Sequence, residues 1–242
     1  MQEYNNIIFY FLLAVLPGII WLFYFLRKDN LPEPKMQVLK IFTYGLIVTI
    51  PTAFIEIVFL KHLEALSLGA ISYFLVKYLF VIALLEEFFK YLVVRYFILK
   101  HSCIDEPIDI PLYMIISALG FATAENLLIF SSQALEITAN PFALALVRFV
   151  GATFLHALCS GLIGCFLAIS FYFLKKRWLI ISLGFLLAIA FHGLFNFYIE
   201  LGIMNQASLI EGLYPLLIVF LLAVFVSILL REIKKIKGIC KI

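Results

Sequence analysis

Along the chain, apolar residues fall in unbroken runs rather than in the alternation of a half-buried strand. Residues 6–26, 38–60, 72–97, 110–131, 142–174, 178–199 and 213–230 form seven such runs, each bounded by charges or turn residues. At a rise of about 1.5 Å per residue, each is long enough to cross about 30 Å of hydrocarbon as a helix. A bilayer holds no water to satisfy the backbone, so only helices or closed barrels span it, and the ten-residue alternating segments of a barrel are absent. The pattern predicts an all-α polytopic transmembrane helical bundle of about seven spans. The fifth run opens at Asn140-Pro141, a good helix-start pair, and is longer than a span needs, so it begins outside the bilayer or lies tilted. Pro17-Gly18 and Pro51 are expected to kink the first two helices.

Composition narrows the class. With 65% hydrophobic and 14% charged residues and a mean hydropathy of +1.12, the chain cannot cover a soluble surface. The same scarcity of charge excludes disorder and a basic nucleic-acid face, so membrane lipids are the solvent. The four cysteines contain no CxxC pair and suggest neither a disulfide framework nor a zinc knuckle. No basic stretch precedes the first run, which is therefore expected to be a retained span. No break in composition divides the chain, so residues 1–242 are expected to form one membrane domain with a catalytic core at about 72–200. Charge then orients it. Fourteen of the 18 basic residues lie at alternate connections: Arg27, Lys28, Lys35 and Lys40; Arg95 and Lys100; Lys175, Lys176 and Arg177; and Arg231, Lys234, Lys235, Lys237 and Lys241. The opposite loops hold Lys61 and several acids, among them Glu64, Glu136, Glu200 and Glu211. Basic loops stay cytoplasmic, which predicts the N-terminus outside and the C-terminus inside.

Polar residues within the spans are the informative ones, because a charge at mid-bilayer costs about 2.5–3.5 kcal/mol on insertion scales. Glu86, Glu87 and Lys90 lie in the third run, Glu125 and Asn126 in the fourth, Arg148 and His156 in the fifth, and His192 and Asn196 in the sixth. Glu86 and Lys90 are four apart, as are His192 and Asn196, so each pair projects from one helix face. Four consecutive spans can satisfy these groups only by converging. Helix-to-helix glue explains a lone pair well, but two adjacent glutamates repel one another and favour a shared proton. Amide hydrolysis needs a base for water, a donor to the oxyanion and a proton for the departing amine. Glu86 or Glu87 suits the base, with Lys90 or Arg148 balancing its charge. His192 and Asn196 suit the oxyanion, and Glu125 and His156 the water or its proton. His156, His192 and one glutamate also make a His₂Glu zinc set, although HExxH is absent. Small residues around Glu125 and His156, such as Gly120, Ala122, Gly161 and Gly164, suggest that these two helices form the tight core.

Several stretches resemble the PrsW family of intramembrane proteases, in the superfamily of CAAX-prenyl endopeptidases and bacteriocin-processing enzymes. They are Glu86-Glu87-x-x-Lys90; Glu106-Pro107-Ile108-Asp109 leading to Gly120-Phe121-Ala122-x-x-Glu125-Asn126; Arg148 with His156; and His192-Gly193-x-x-Asn196. Arg27-Lys28-Asp29 followed by Glu33-Pro34 looks like the family's first cytoplasmic loop. The resemblance implies a multipass protease of the bacterial inner membrane that cuts a single-pass, membrane-anchored protein, such as an anti-sigma factor, near its extracytoplasmic side. By that likeness Glu86, Glu87, Glu125 and His156 form the catalytic centre and His192 assists, with Asn196 beside it and Lys90, Asn126 and Arg148 in support. Some members carry Asp where this chain has Asn196. Asn does not ligate a metal as a carboxylate does, which favours glutamate-activated water without a cofactor, zinc being the alternative. The rivals from other classes are a proton-coupled transporter, for which no inverted repeat is seen, and a non-catalytic membrane binding partner. Glu56 and Lys77 are read as snorkelling near the outer boundary, and His62 and His101 as solvated loop residues. Cys103 and Cys240 are juxtamembrane positions that can accept a lipid.

Overall fold

The computed structural model describes residues 2–29, 31–99, 104–133, 140–204 and 213–236. His101, Cys103 and Cys240, and the basic residues Lys100, Lys237 and Lys241, lie outside the described residues. The described chain is helical, in seven rods. These are α1 (Gln2–Leu26); α2 (Lys35–Glu64); a third built from α3 (Ala70–Leu75), a π-helical stretch (Val76–Ala83) and α4 (Leu84–Phe97); α5 (Asp109–Gln133); a fifth built from α6 (Pro141–Arg148), a second π-helical stretch (Phe149–Thr153) and α7 (Phe154–Ser170); α8 (Arg177–Met204); and α9 (Tyr214–Lys234). Six of the rods are long and apolar enough to cross a membrane. The remaining one, α3–α4, carries the paired glutamates. Every apolar run read from the sequence thus becomes a helix.

The fifth run ends earlier than its hydropathy suggests. The helix stops at Ser170, and Phe171–Phe173 turn into a short 3₁₀ segment, Leu174–Lys176. Apolarity cannot mark this boundary, because the turn is aromatic and Lys175-Lys176-Arg177 follows only afterwards. At its start, the Asn140 side chain accepts from the amides of Phe142 and Ala143, and Pro141 occupies the first turn, as the sequence suggests. Pro17 and Pro51 sit inside α1 and α2.

Burial ranks the helices. The spans of α5 and of the α6–α7 rod are 78% buried within the protein, whereas those of α1, α2, α8 and α9 are only 17–33% buried. The outer helices present large apolar residues outward, such as Ile50, Phe54, Leu186 and Phe220, as a lipid-facing surface requires. α5 packs against α1, α2, α4 and α7, and its residues 110–124 are all buried. Lipid tails are as apolar as leucine, so close backbone approach and hydrogen bonds must hold such a bundle together. The α2–α5 crossing shows this. A Cβ on Gly120 would stand 2.0 Å from the Phe42 carbonyl oxygen, and one on Gly45 would stand 2.1 Å from that of Ser117.

The basic connections gather at one end, where Lys234 of α9 donates to the Lys28 carbonyl and Gln37 to the Phe97 carbonyl. Glu33, just before α2, is buried there and accepts from the Tyr113 hydroxyl at 2.6 Å. Burial pushes its carboxyl up to about 8; the Tyr113 bond opposes the shift, and the charges of Asp109 and Asp29 add to it.

Gly120→Ala should destabilise the bundle by about 1–3 kcal/mol or more, because the clash falls on backbone that cannot move without separating α2 from α5. Gly69→Ala, with nothing within 4 Å of its Cβ position, should leave thermal unfolding in detergent unchanged.

Candidate functional site

Eight of the nine candidate residues join one hydrogen-bonded network, and the ninth lines the cavity beside it. Its centre is Lys90, fully buried on α4. One turn back on the same face, Glu86 Oε2 and Glu87 Oε1 accept from Lys90 Nζ at 3.2 and 2.8 Å. The third interaction of the ammonium reaches another helix, where His156 Nδ1 of α7 lies 2.7 Å away. The Phe121 ring of α5 covers the ammonium with its centroid 4.5 Å from Nζ, a cation–π contact in a dry setting.

The partners assign both histidine tautomers. His156 accepts from Lys90 at Nδ1, so Nε2 carries the proton and donates to Glu125 Oε2 at 2.8 Å. His192 donates from Nδ1 to Glu87 Oε1 at 3.0 Å, which leaves the lone pair on Nε2. That nitrogen lies 3.7 Å from Glu86 Oε2, while His156 Nδ1 lies 3.6 Å from the same oxygen. The two rings meet edge to face with centroids 4.9 Å apart. Glu87 is enclosed: Lys90 and His192 hold one oxygen, and Ser160 Oγ donates to the other at 2.6 Å. The two adjacent glutamates therefore differ in kind. Glu87 orients His192, whereas Glu86 opens on a cavity.

Arg148 closes the network on the far side. Its Nη2 donates to Glu125 Oε2 at 3.3 Å and its Nε donates to Asn126 Oδ1. Asn126, also fully buried, donates to the Ala14 carbonyl and to Thr153 Oγ1, both at 3.2 Å, and so fastens α5 to α1 and to the second π stretch. Both π-helical stretches lie just before site residues, Val76–Ala83 before Glu86 and Phe149–Thr153 before His156. Such segments widen the helix and commonly accompany functional sites. At the second stretch the Phe149 carbonyl accepts from Trp21 Nε1 at 2.9 Å, and the Trp21 ring stacks on Phe154 at 4.0 Å.

A cavity of about 350 Å³ opens beside the network, lined among others by Glu86, Glu125, Arg148, His156, His192 and Asn196. Glu56 lines it too, with Oε1 buried and without a hydrogen-bond partner among the described residues. This corrects the reading of Glu56 as a boundary residue: α2 runs on to Glu64, which places Glu56 two turns inside the helix. Depth along α2, not residue type, was the missing signal. Ser160 was also missed, although its place four residues after His156 puts it on the same face. Lys77 pairs with Glu200 at 3.9 Å and lies over the Tyr78 ring at 4.8 Å, apart from the network. His62 sits in the last turn of α2, exposed, instead of in a loop.

Three network carboxyl groups face two cations, and Glu56 adds a fourth carboxyl on the cavity wall. One ligand atom each from Glu86, His156 and His192 lies within 4.8 Å of the others. The other ring nitrogen of each histidine is bonded to a carboxylate, Glu125 or Glu87, as in carboxylate–histidine–zinc arrangements. The donor set therefore fits a zinc ion, with Lys90 as the group competing for His156 Nδ1.

The model of the PrsW family of intramembrane metalloproteases matches residues 33–229. A protein named Protease PrsW from Geobacillus kaustophilus strain HTA426 is 33% identical over 184 residues, 76% of each chain. Those of the same name from Bacillus subtilis strain 168 and Oceanobacillus iheyensis are 31% and 28% identical, over 76% and 77% of this chain and 79% and 81% of theirs. No solved structure matches the chain significantly.

Lys90→Met should cost about 3–5 kcal/mol in thermal unfolding, because it leaves two buried carboxylates without their cation. Adding Glu87→Gln to Lys90→Met should recover part of that loss, and a strictly additive double variant would show that the two do not interact.

Proposed function

The chain belongs to the PrsW family of intramembrane proteases, and from that premise we propose that it is an endopeptidase in which Glu86 activates the water that cleaves a single-pass, membrane-anchored protein. It is a multi-pass bacterial membrane protein, so its substrate meets it in lipid. One observation carries the assignment of the base. Glu86 Oε2 lies 3.7 Å from the lone-pair Nε2 of His192 and 3.6 Å from His156 Nδ1, on the wall of a cavity of about 350 Å³.

A water held there gives its proton to Glu86 as its oxygen attacks the peptide carbonyl. Lys90 balances the charge of the glutamate and fixes its rotamer. The developing oxyanion needs donors already aimed at it, and Asn196 and Arg148 supply them from the same cavity wall. His192 is not such a donor in this tautomer, since its N–H is committed to Glu87. Its task is to accept from the water and hold it against Glu86. As the C–N bond breaks, the proton taken by Glu86 passes to the departing amine, with the Glu125–His156 pair holding the ring in register. Where zinc binds, Glu86, His156 and His192 would hold it, and it would supply Lewis acidity to the water and the carbonyl.

Glu56, Glu125 and Arg148 all lie in the halves of their rods away from the basic connections. With basic loops read as cytoplasmic, the cavity runs from mid-membrane, where Glu86 and His156 lie, toward the extracytoplasmic side, which supports a cut on that side.

In a reconstituted assay with single-pass bacterial membrane proteins, Glu86→Gln should fold and insert normally yet lower cleavage by about 10²–10⁴. His62→Ala should cleave as the parent does. Undiminished cleavage by Glu86→Gln would remove Glu86 as the base. A loss on chelation that zinc reverses would assign the water to a metal-assisted reaction, and indifference to chelators would leave it to glutamate alone.

A further inference from the structure

Four carboxylates at the other end of α5 have no task in peptide hydrolysis. Asp29 follows α1, Glu33 precedes α2, Glu106 lies in the turn before α5, and Asp109 is the first residue of α5. One oxygen each from Asp29, Glu106 and Asp109 lies within 4.8 Å of the others. Glu33 stands within hydrogen-bonding reach of Asp109. Repulsion alone would drive such a group apart unless something positive sat among them.

Their donors are only partly accounted for. Asp109 Oδ2 accepts from the amides of Asp105 and Glu106 at 2.9 and 2.8 Å, and Glu33 Oε2 accepts from Tyr113. Asp109 is fully buried, yet its Oδ1 has no donor among the described residues, and the same holds for Oε1 of Glu33, which is 8% exposed. None of Glu33, Glu106 and Asp109 is ion-paired with a lysine or arginine among the described residues. Buried carboxylate oxygens of this kind demand a partner. The ligand set is all oxygen, with no histidine or cysteine in the group, which suits a hard ion that takes six or more oxygens, and not zinc. A cavity of about 210 Å³ adjoins the group at Asp29; Lys28, Arg231 and Lys234 line it as well and would temper the affinity.

We propose that Asp29, Glu106 and Asp109, with Glu33 beside them, form a second site that binds a hard divalent cation such as Mg²⁺ or Ca²⁺ and clamps the α1–α2 connection to the start of α5. The site is independent of the catalytic cluster and of the peptidase reading.

The full chain, purified in detergent and stripped with chelator, is titrated separately with Mg²⁺ and Ca²⁺ while thermal unfolding and heat of binding are followed. A saturable rise in Tm is expected, half-complete at roughly 10⁻⁵–10⁻³ M. Asp29→Asn and Glu106→Gln change partly exposed side chains and should fold, and each should weaken binding at least tenfold. His192→Ala should leave it intact. The proposal is overturned if neither ion shifts Tm, if both variants keep the shift, or if His192→Ala abolishes it, which would place the ion in the catalytic cluster. It also fails if Asp109→Asn stabilises the metal-free protein and removes no binding, the signature of a proton shared between Asp109 and Glu33.

Discussion

One buried ammonium holds the polar interior of this protein together. Lys90 has no exposed surface, and its three nearest polar partners, Glu86, Glu87 and His156, come from two helices. In water such an ion pair is worth little, but in a lipid-enclosed bundle an uncompensated carboxylate is costly enough to dictate packing. α4 cannot carry its two glutamates into the interior without Lys90, and α7 cannot present His156 at the cavity except against that ammonium. Glu125, Arg148 and Asn126 then extend the same charge balance to α5 and, through the Ala14 carbonyl, to α1.

The network also explains why two adjacent, chemically identical residues do different work. Glu87 spends both oxygens on Lys90, Ser160 and His192, so it sets a histidine tautomer and is closed to substrate. Glu86 shares Lys90 but faces the cavity, where the Nε2 lone pair of His192 is turned, while His156 Nδ1 accepts from Lys90. The difference follows from helix phase. Glu87 is directed into α7 and α8, and Glu86 lies about 100° away around α4.

The helices and the members of the site were legible in the sequence because burying charge in lipid admits few solutions. Glu86 with Lys90, and His192 with Asn196, could be placed on common faces from their spacing of four, and convergence followed from desolvation. Glu56 could not be placed, since its role depends on how far α2 extends and which way it faces across the bundle. Nor could the division of labour between Glu86 and Glu87 be read, because it depends on rotational phase after a π-helical stretch that no local pattern announces. The end of α7 at Ser170 was hidden for a different reason: aromatic residues are at home both in a span and at the membrane surface. The acids at Asp29, Glu33, Glu106 and Asp109 were visible as motif fragments, but only the fold brings loops some 75 residues apart onto one point.

α5 carries Asp109 at its start and Glu125 sixteen residues on, in one uninterrupted helix walled in along residues 110–124. The two carboxylates are thus about 24 Å apart on a single stiff axis. Gly120 against α2, Asn126 on the Ala14 carbonyl of α1 and Ser117 on the Lys90 carbonyl of α4 fix the helix's register, so the close-packed sleeve resists sliding as well as sideways displacement. The two ends of α5 therefore keep a constant separation, a ruler that sets the acids at one end against the cavity at the other.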